Sequence, residues 1–178
     1  KNLARITKKL FKTYDEFWNL KLSKKLIKEK KGEIDLIFSA NTISHIPNLE
    51  ETFKGINNIL SQDGVFVIED PSLLKVLQNN SYDQFYDEHV YVFSSISINN
   101  IIKKYGLRLF DIEHLSTHGG SNRYYICKEN GKYKKSTRLK KALKKEISHK
   151  LHKIESYYKF AKRVYLSKRK LLNLIIRL

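Results

Sequence analysis

Apolar positions along the chain follow two different spacings, and the switches between them mark the elements. Ile34 to Ser39 (IDLIFS) is a short apolar run bounded by Gly32 and a polar loop, the pattern of a strand buried on both faces. From Leu49 the spacing becomes three and four, placing Leu49, Phe53, Ile56 and Leu60 on one face of a helix. Asn48 is suited to cap it, with Glu51 three residues on as in a capping box. This helix is predicted to end at the SQDG run, Ser61 to Gly64, and Val65 to Glu69 (VFVIE) reads as a second buried strand. Strand, helix and strand in that order predict a right-handed parallel crossover unit.

Pro71 closes the second strand, and the stretch to about Phe93 reads as irregular, with a dense polar and aromatic segment at Tyr82–Phe93 (YDQFYDEHVYVF). Ser97 is predicted to cap a short helix through Tyr105, with Gly106 as its stop. Leu107–Glu113 and Arg123–Lys128 read as strands able to pair antiparallel, joined through His118, Gly119, Gly120 and Ser121. Upstream, Asn19–Lys31 reads as a basic-faced helix and Leu10–Phe17 as a strand edge. From Ser136 onward there is no Gly or Pro, and Leu139, Leu143, Ile147, Leu151, Ile154, Tyr158, Ala161, Tyr165, Leu172 and Ile175 recur mostly at steps of three and four. This predicts a long amphipathic helix, broken at most once. At about 1.5 Å per residue its stripe of about 36 residues spans roughly 54 Å, whereas a domain of about 130 residues has a radius of gyration of roughly 14 Å. The helix cannot lie wholly on its own domain.

With 178 residues and 41% hydrophobic composition the chain suits one ordinary domain, and no apolar run is long enough to span a bilayer. The net charge of +17 is unevenly placed. Residues 1–31 carry 11 basic and 3 acidic side chains, residues 32–130 carry 7 and 13, and residues 131–178 carry 17 and 2. The middle is therefore acidic. Lysines number 28 against 7 arginines, which lack the abundance that bidentate phosphate recognition favours, so specific nucleic-acid binding is not expected. A single cysteine, Cys127, excludes a disulfide framework and a thiolate zinc cluster and sets a reducing, cytoplasmic expectation. The sequence has no methionine and begins at Lys1, so it reads as an internal piece of a longer protein.

Three stretches carry a resemblance: DLIFSANTISHIPNLEETFKGINNILSQDGVFVIEDP (Asp35–Pro71), YDQFYDEHVYVFS (Tyr82–Ser94) and HGGSNRYYI (His118–Ile126). Together they resemble the sugar C-methyltransferases, class I enzymes that use S-adenosylmethionine to add a methyl branch to nucleotide-linked keto-deoxysugars. The resemblance implies an α/β fold: the C-terminal half of a Rossmann-like methyltransferase sheet in residues 1–130, then a basic amphipathic helical segment, 131–178, leading toward a further lobe. The family's zinc module, glycine-rich cofactor loop and ribose-binding acid have no counterpart here, so zinc is not expected in this stretch and the main S-adenosylmethionine loop is expected outside it.

Methylating a carbon beside a ketone needs a base to remove an α-proton, and a histidine is mostly neutral yet basic enough near neutral pH. The resemblance places Tyr86, Glu88 and His89 at the family's Tyr-His-Glu-His signature, with His89 as base and Asp87 in place of the first histidine. Glu88, in extended chain, would point away from His89 and toward substrate hydroxyls. His45 follows the first strand, at the carboxyl end where open α/β sheets bind ligands, and suits polarising the ketone or steadying the enolate. By the same resemblance Asn41 faces the cofactor and Phe17, beside Trp18, flanks its adenine. His118, Gly119, Gly120, Ser121 and Arg123 form a candidate substrate-binding turn.

Each residue has a plainer reading: an acidic surface loop for Tyr86–His89, a helix-entry residue for His45, a hairpin turn for Gly119–Gly120, a core position for Cys127 and a solvated face for His149 and His152. The rival function is a catalytically inactive methyltransferase-like module acting through its basic helix. Weak self-association through residues 139–178 is expected in either case.

Overall fold

A computed structural model describes residues 2–30 and 33–177. Helices α1 (Asn2–Thr7) and α2 (Leu20–Lys30) precede strand β1 (Ile34–Ala40), helix α3 (Leu49–Ile59) and strand β2 (Leu60–Pro71). Then come α4 (Leu73–Asn79), α5 (Ser95–Lys103), β3 (Leu107–Leu115), β4 (Ser121–Lys128), α6 (Thr137–Ser148) and α7 (Ile154–Arg177). The sheet order is β1-β2-β4-β3, parallel between β1 and β2 and antiparallel elsewhere. The expected α/β sheet is therefore present, with its parallel crossover unit and its antiparallel return.

Asn48 caps α3 as its sequence predicts, accepting the Glu51 amide on its side chain. Glu51 does not close the box; its carboxylate accepts the Leu20 amide at the start of α2. The two helices meet closely at Gly55, where a Cβ would lie 3.1 Å from the Asn19 backbone. Phe53 and Ile56 of α3, Ile98 and Ile102 of α5, Leu139 of α6 and the strands' inward residues form one buried cluster. The SQDG run is a break in register: Ile34 pairs with Leu60 but Leu36 with Val65, which loops out the residues between.

Several expectations are corrected. Leu10–Phe17 forms no strand. Strand β1 is not buried on both faces: it is an edge strand, with Leu36 64% and Phe38 59% exposed. The stretch after Pro71 is not all irregular, because Leu73, Leu74, Val76 and Leu77 bury one face of α4. Ser94, not Ser97, caps α5, and Ser97 is the reciprocal member of its capping box. The C-terminal stripe is broken once: Lys150, at φ +57°, turns the chain between α6 and α7. No helix among the described residues is long and apolar enough to cross a membrane.

Candidate active site

Parallel pairing puts the carboxyl ends of β1 and β2 on one edge of the sheet, and antiparallel β4 begins there too, with Pro71 opposite Ser121. The segments after β1, after α4 and before β4 therefore converge. They enclose a recess of about 170 Å³ lined by Asn41, His45, Pro71, Gln84, Tyr86, His89 and His118. Asn41 leaves β1 at φ +48° with its amide on the Glu69 carbonyl at 2.7 Å, and His118 sits at φ +52°. Non-glycine residues in this region carry strain, and strain gathers at sites where position matters.

The Tyr82–Phe93 segment is fastened to this edge. The Tyr91 amide donates to the Ser44 carbonyl at 3.1 Å and its hydroxyl to the Pro47 carbonyl at 2.8 Å, while the Leu73 amide donates to the Phe93 carbonyl. Between these anchors the chain is not extended, as the alternation argument for Glu88 assumed. A turn closes with the His89 amide on the Tyr86 carbonyl at 2.9 Å, so the Tyr86 and His89 side chains meet and Glu88 lies exposed outside the recess lining.

Hydrogen bonding fixes the His89 tautomer. Its Nδ1 lies 2.8 Å from the Gln84 carbonyl, which can only accept, so the neutral ring carries its proton on Nδ1. Nε2 is then the free base, and the Tyr86 hydroxyl donates to it at 3.1 Å. The His45 ring packs edge-on against His89, centroids 4.8 Å apart. Beneath them lies a residue that sequence reasoning missed, Asp70. It is buried, accepts the Ser44 hydroxyl at 2.7 Å, and burial pushes its carboxyl up to about 6, against the opposing pull of Ser44 and the nearby imidazoles.

Other candidates lie elsewhere. Phe17 is 94% exposed and does not line the recess. Trp18 donates its indole N–H to the Thr52 carbonyl at 3.1 Å and packs on the core. Arg123 is committed across the sheet to Glu69 at 2.9 Å and Glu113 at 3.1 Å and is not brought to the recess. Gly119 and Gly120 are used structurally: the Gly120 amide donates to the Thr117 carbonyl, its carbonyl accepts the Ser72 amide, and a Cβ on it would meet the Lys75 side chain at 2.7 Å. Ser121 is buried, its hydroxyl on the Thr117 carbonyl. Cys127 is buried in the core, which pushes its thiol up. His149 contacts Gln78 and the Lys145 carbonyl.

Ionisable side chains thus gather at the carboxyl ends of the two parallel strands, the edge where open α/β sheets bind ligands. Residues 5–112 match the methyltransferase domain family, and residues 116–178 match the C-methyltransferase C-terminal domain. The chain belongs to the methyltransferase domain family, and its C-terminal segment is similar to the C-methyltransferase C-terminal domain. It is 34% identical over 95 residues to C-methyltransferase NovU of Streptomyces niveus, an alignment covering 53% of this chain and 23% of that protein. Similar solved structures include magnesium protoporphyrin IX methyltransferase from Synechocystis PCC 6803 with bound SAH, at 16% identity, 55% and 46% coverage and a TM-score of 0.40. Another is the LepI complex with SAM, at 10% identity, 55% and 27% coverage and a TM-score of 0.45. Membership rests on the family matches.

Proposed function

We propose that this chain carries the proton-abstracting edge of an enzyme that methylates a carbon next to a ketone, the substrate being a nucleotide-linked keto-deoxysugar. The observation that carries the reading is the chain of contacts Gln84 carbonyl, His89, Tyr86 hydroxyl, which leaves Nε2 as the basic atom at a recess open to a small ligand. S-adenosylmethionine, when bound, supplies an electrophilic methyl group. Asn41 fits a contact to it, because the chain turns at the end of β1 with that residue in the recess lining.

In this reading His89 Nε2 takes the α-proton, Tyr86 holds the base or gives way to the substrate oxygen, and His45 steadies the negative charge that develops on that oxygen. His118 and the turn after it border the substrate's far side. The comparisons do not favour the interaction-module alternative. A reducing, cytoplasmic setting goes with the lone buried Cys127.

The test is solvent deuterium exchange into the keto sugar, followed by mass spectrometry. In a chain restored to full length, His89→Asn should slow exchange by about 10²- to 10⁴-fold, the usual worth of a general base, while S-adenosylmethionine binding by calorimetry stays near wild type. Exchange at the wild-type rate in His89→Asn would move the base to Tyr86 or His45.

A further inference from the structure

Asp70 immediately precedes Pro71, a wall of the recess, and only 1% of its surface is exposed. One carboxylate oxygen accepts the Ser44 hydroxyl; the other is buried without a partner among the described residues. Burying a carboxylate with an unused oxygen is costly unless its surroundings compensate. Here Ser44 supplies the larger part of the compensation, and the imidazoles of His45 and His89 add a smaller one. Ser44 is the middle residue of the single-turn helix Ile43–His45, and its carbonyl receives the Tyr91 amide from the segment that carries His89. Asp70 is thus joined to the imidazoles twice: through Ser44, the neighbour of His45, and through Pro71, which lines the recess with His45 and His89.

Among the described residues no lysine or arginine lines the recess, whose third imidazole is His118. From β4, the fully buried Tyr124 phenol feels the negative charge of both Asp70 and Glu146, the latter reaching in from α6. Asn122, opposite Asp70 in the sheet, spends its amide N–H groups on Ser72 and the Tyr124 hydroxyl. Two imidazoles 4.8 Å apart repel a second proton, and a buried carboxylate nearby favours the first.

We propose that Asp70 is a positioning residue of the imidazole pair: through Ser44 it anchors the turn that carries His45, and its buried carboxylate is the counter-charge against which His45 and His89 hold one proton. The proposal rests on reading the recess as a proton-transfer site. It gives the proton taken by Nε2 a compensated resting place until it leaves to solvent.

The experiment is NMR titration of the histidine Cε1–H resonances in this chain, as wild type, Asp70→Asn and Ser44→Ala. Asp70→Asn should lower the His45 and His89 midpoints by about one unit, a tenfold loss of proton affinity, as expected for removing an opposite charge at close range. The midpoints of His149 and His152 should stay put. Ser44→Ala keeps the carboxylate, so its midpoints should shift less, while amide exchange across Ile43–Ile46 should quicken. Unshifted imidazoles in folded Asp70→Asn would overturn the counter-charge, and unchanged exchange in Ser44→Ala would overturn the anchor. If Asp70→Asn does not fold, the reciprocal measurement decides: the Asp70 carboxyl midpoint should rise in His89→Gln, and a constant midpoint would overturn the proposal. Fast deuterium exchange in His89→Asn would refute the base assignment but leave these shifts intact. Absent shifts would refute the Asp70 proposal and leave the base assignment standing.

Discussion

At the scale of single residues, Asp70 gives the molecule a pH signature opposite to that of an ion-paired carboxylate. Its carboxyl titrates at about 6 in the folded chain, above its ordinary 3.8, so between these values the native state holds a proton that the unfolded state has released. Stability from this group is therefore full below about pH 4, falls as pH rises toward 6 and stays at its lower value above that. A shift of this size corresponds to on the order of 3 kcal/mol. Asp70→Asn, which cannot ionise, should gain on the wild type by an amount of that order between pH 4 and pH 7, read as the difference in urea-unfolding free energies at the two pH values. A constant difference would show that Asp70 does not titrate across this range. His89, Tyr86, His45 and Asn41 were legible in the sequence because residue type and wording mark them. Asp70 was not, because an acid near the end of a strand looks solvated until the chain after β1 closes over it.

Elements depend on one another through a second buried acid, Glu146. It is 2% exposed on α6, yet its two carboxylate oxygens accept the amides of Ser95 and Ile96 at 2.8 and 2.9 Å, the first free N–H groups of α5. One helix thus caps another across about fifty residues of sequence, with the charge placed where a helix N-terminus favours it. Glu146→Ala would strand one buried and one half-buried donor and should cost about 2–4 kcal/mol in urea denaturation. Glu146→Gln keeps one acceptor and should cost less. Equal losses for the two variants would mean that the charge, and not the hydrogen bonds, does the work. Helical spacing identifies α3 and α6, because each buries one consistent face, and a continuous apolar run identifies β2. Spacing misses α4, whose seven residues are too few to establish a period, and the apolar run misjudges β1, because edge position is set by neighbours and not by the strand's own residues.

For the whole molecule, the unresolved balance lies between the acidic body and the basic C-terminal arm. The near end of α7 is docked: Tyr157 and Phe160 pack against Leu73, Leu74, Leu77 and Leu151, and Arg163 donates to the Leu77 carbonyl. Beyond this the contacts thin out, α7 contains no buried residue, and every position from Lys168 to Arg177 is exposed, including Leu171, Leu172, Leu174, Ile175 and Ile176. Isolated helices gain most of their stability from packing an apolar face, so this last part should open readily while α6, with Leu139 and Ala142 in the core, stays closed. Amide exchange should therefore be slow through α6 and fast beyond about Tyr165. The same exposed leucines and isoleucines favour pairing with a second copy, but the lysines and arginines between them repel one another over about 10 Å at moderate salt. Added salt screens the repulsion and strengthens apolar contact, so sedimentation should show self-association rising as salt is raised. Association that weakens with salt would point instead to the basic arm docking on the acidic body of a neighbour, and uniform protection along α7 in a monomer would show that the described surface already covers it.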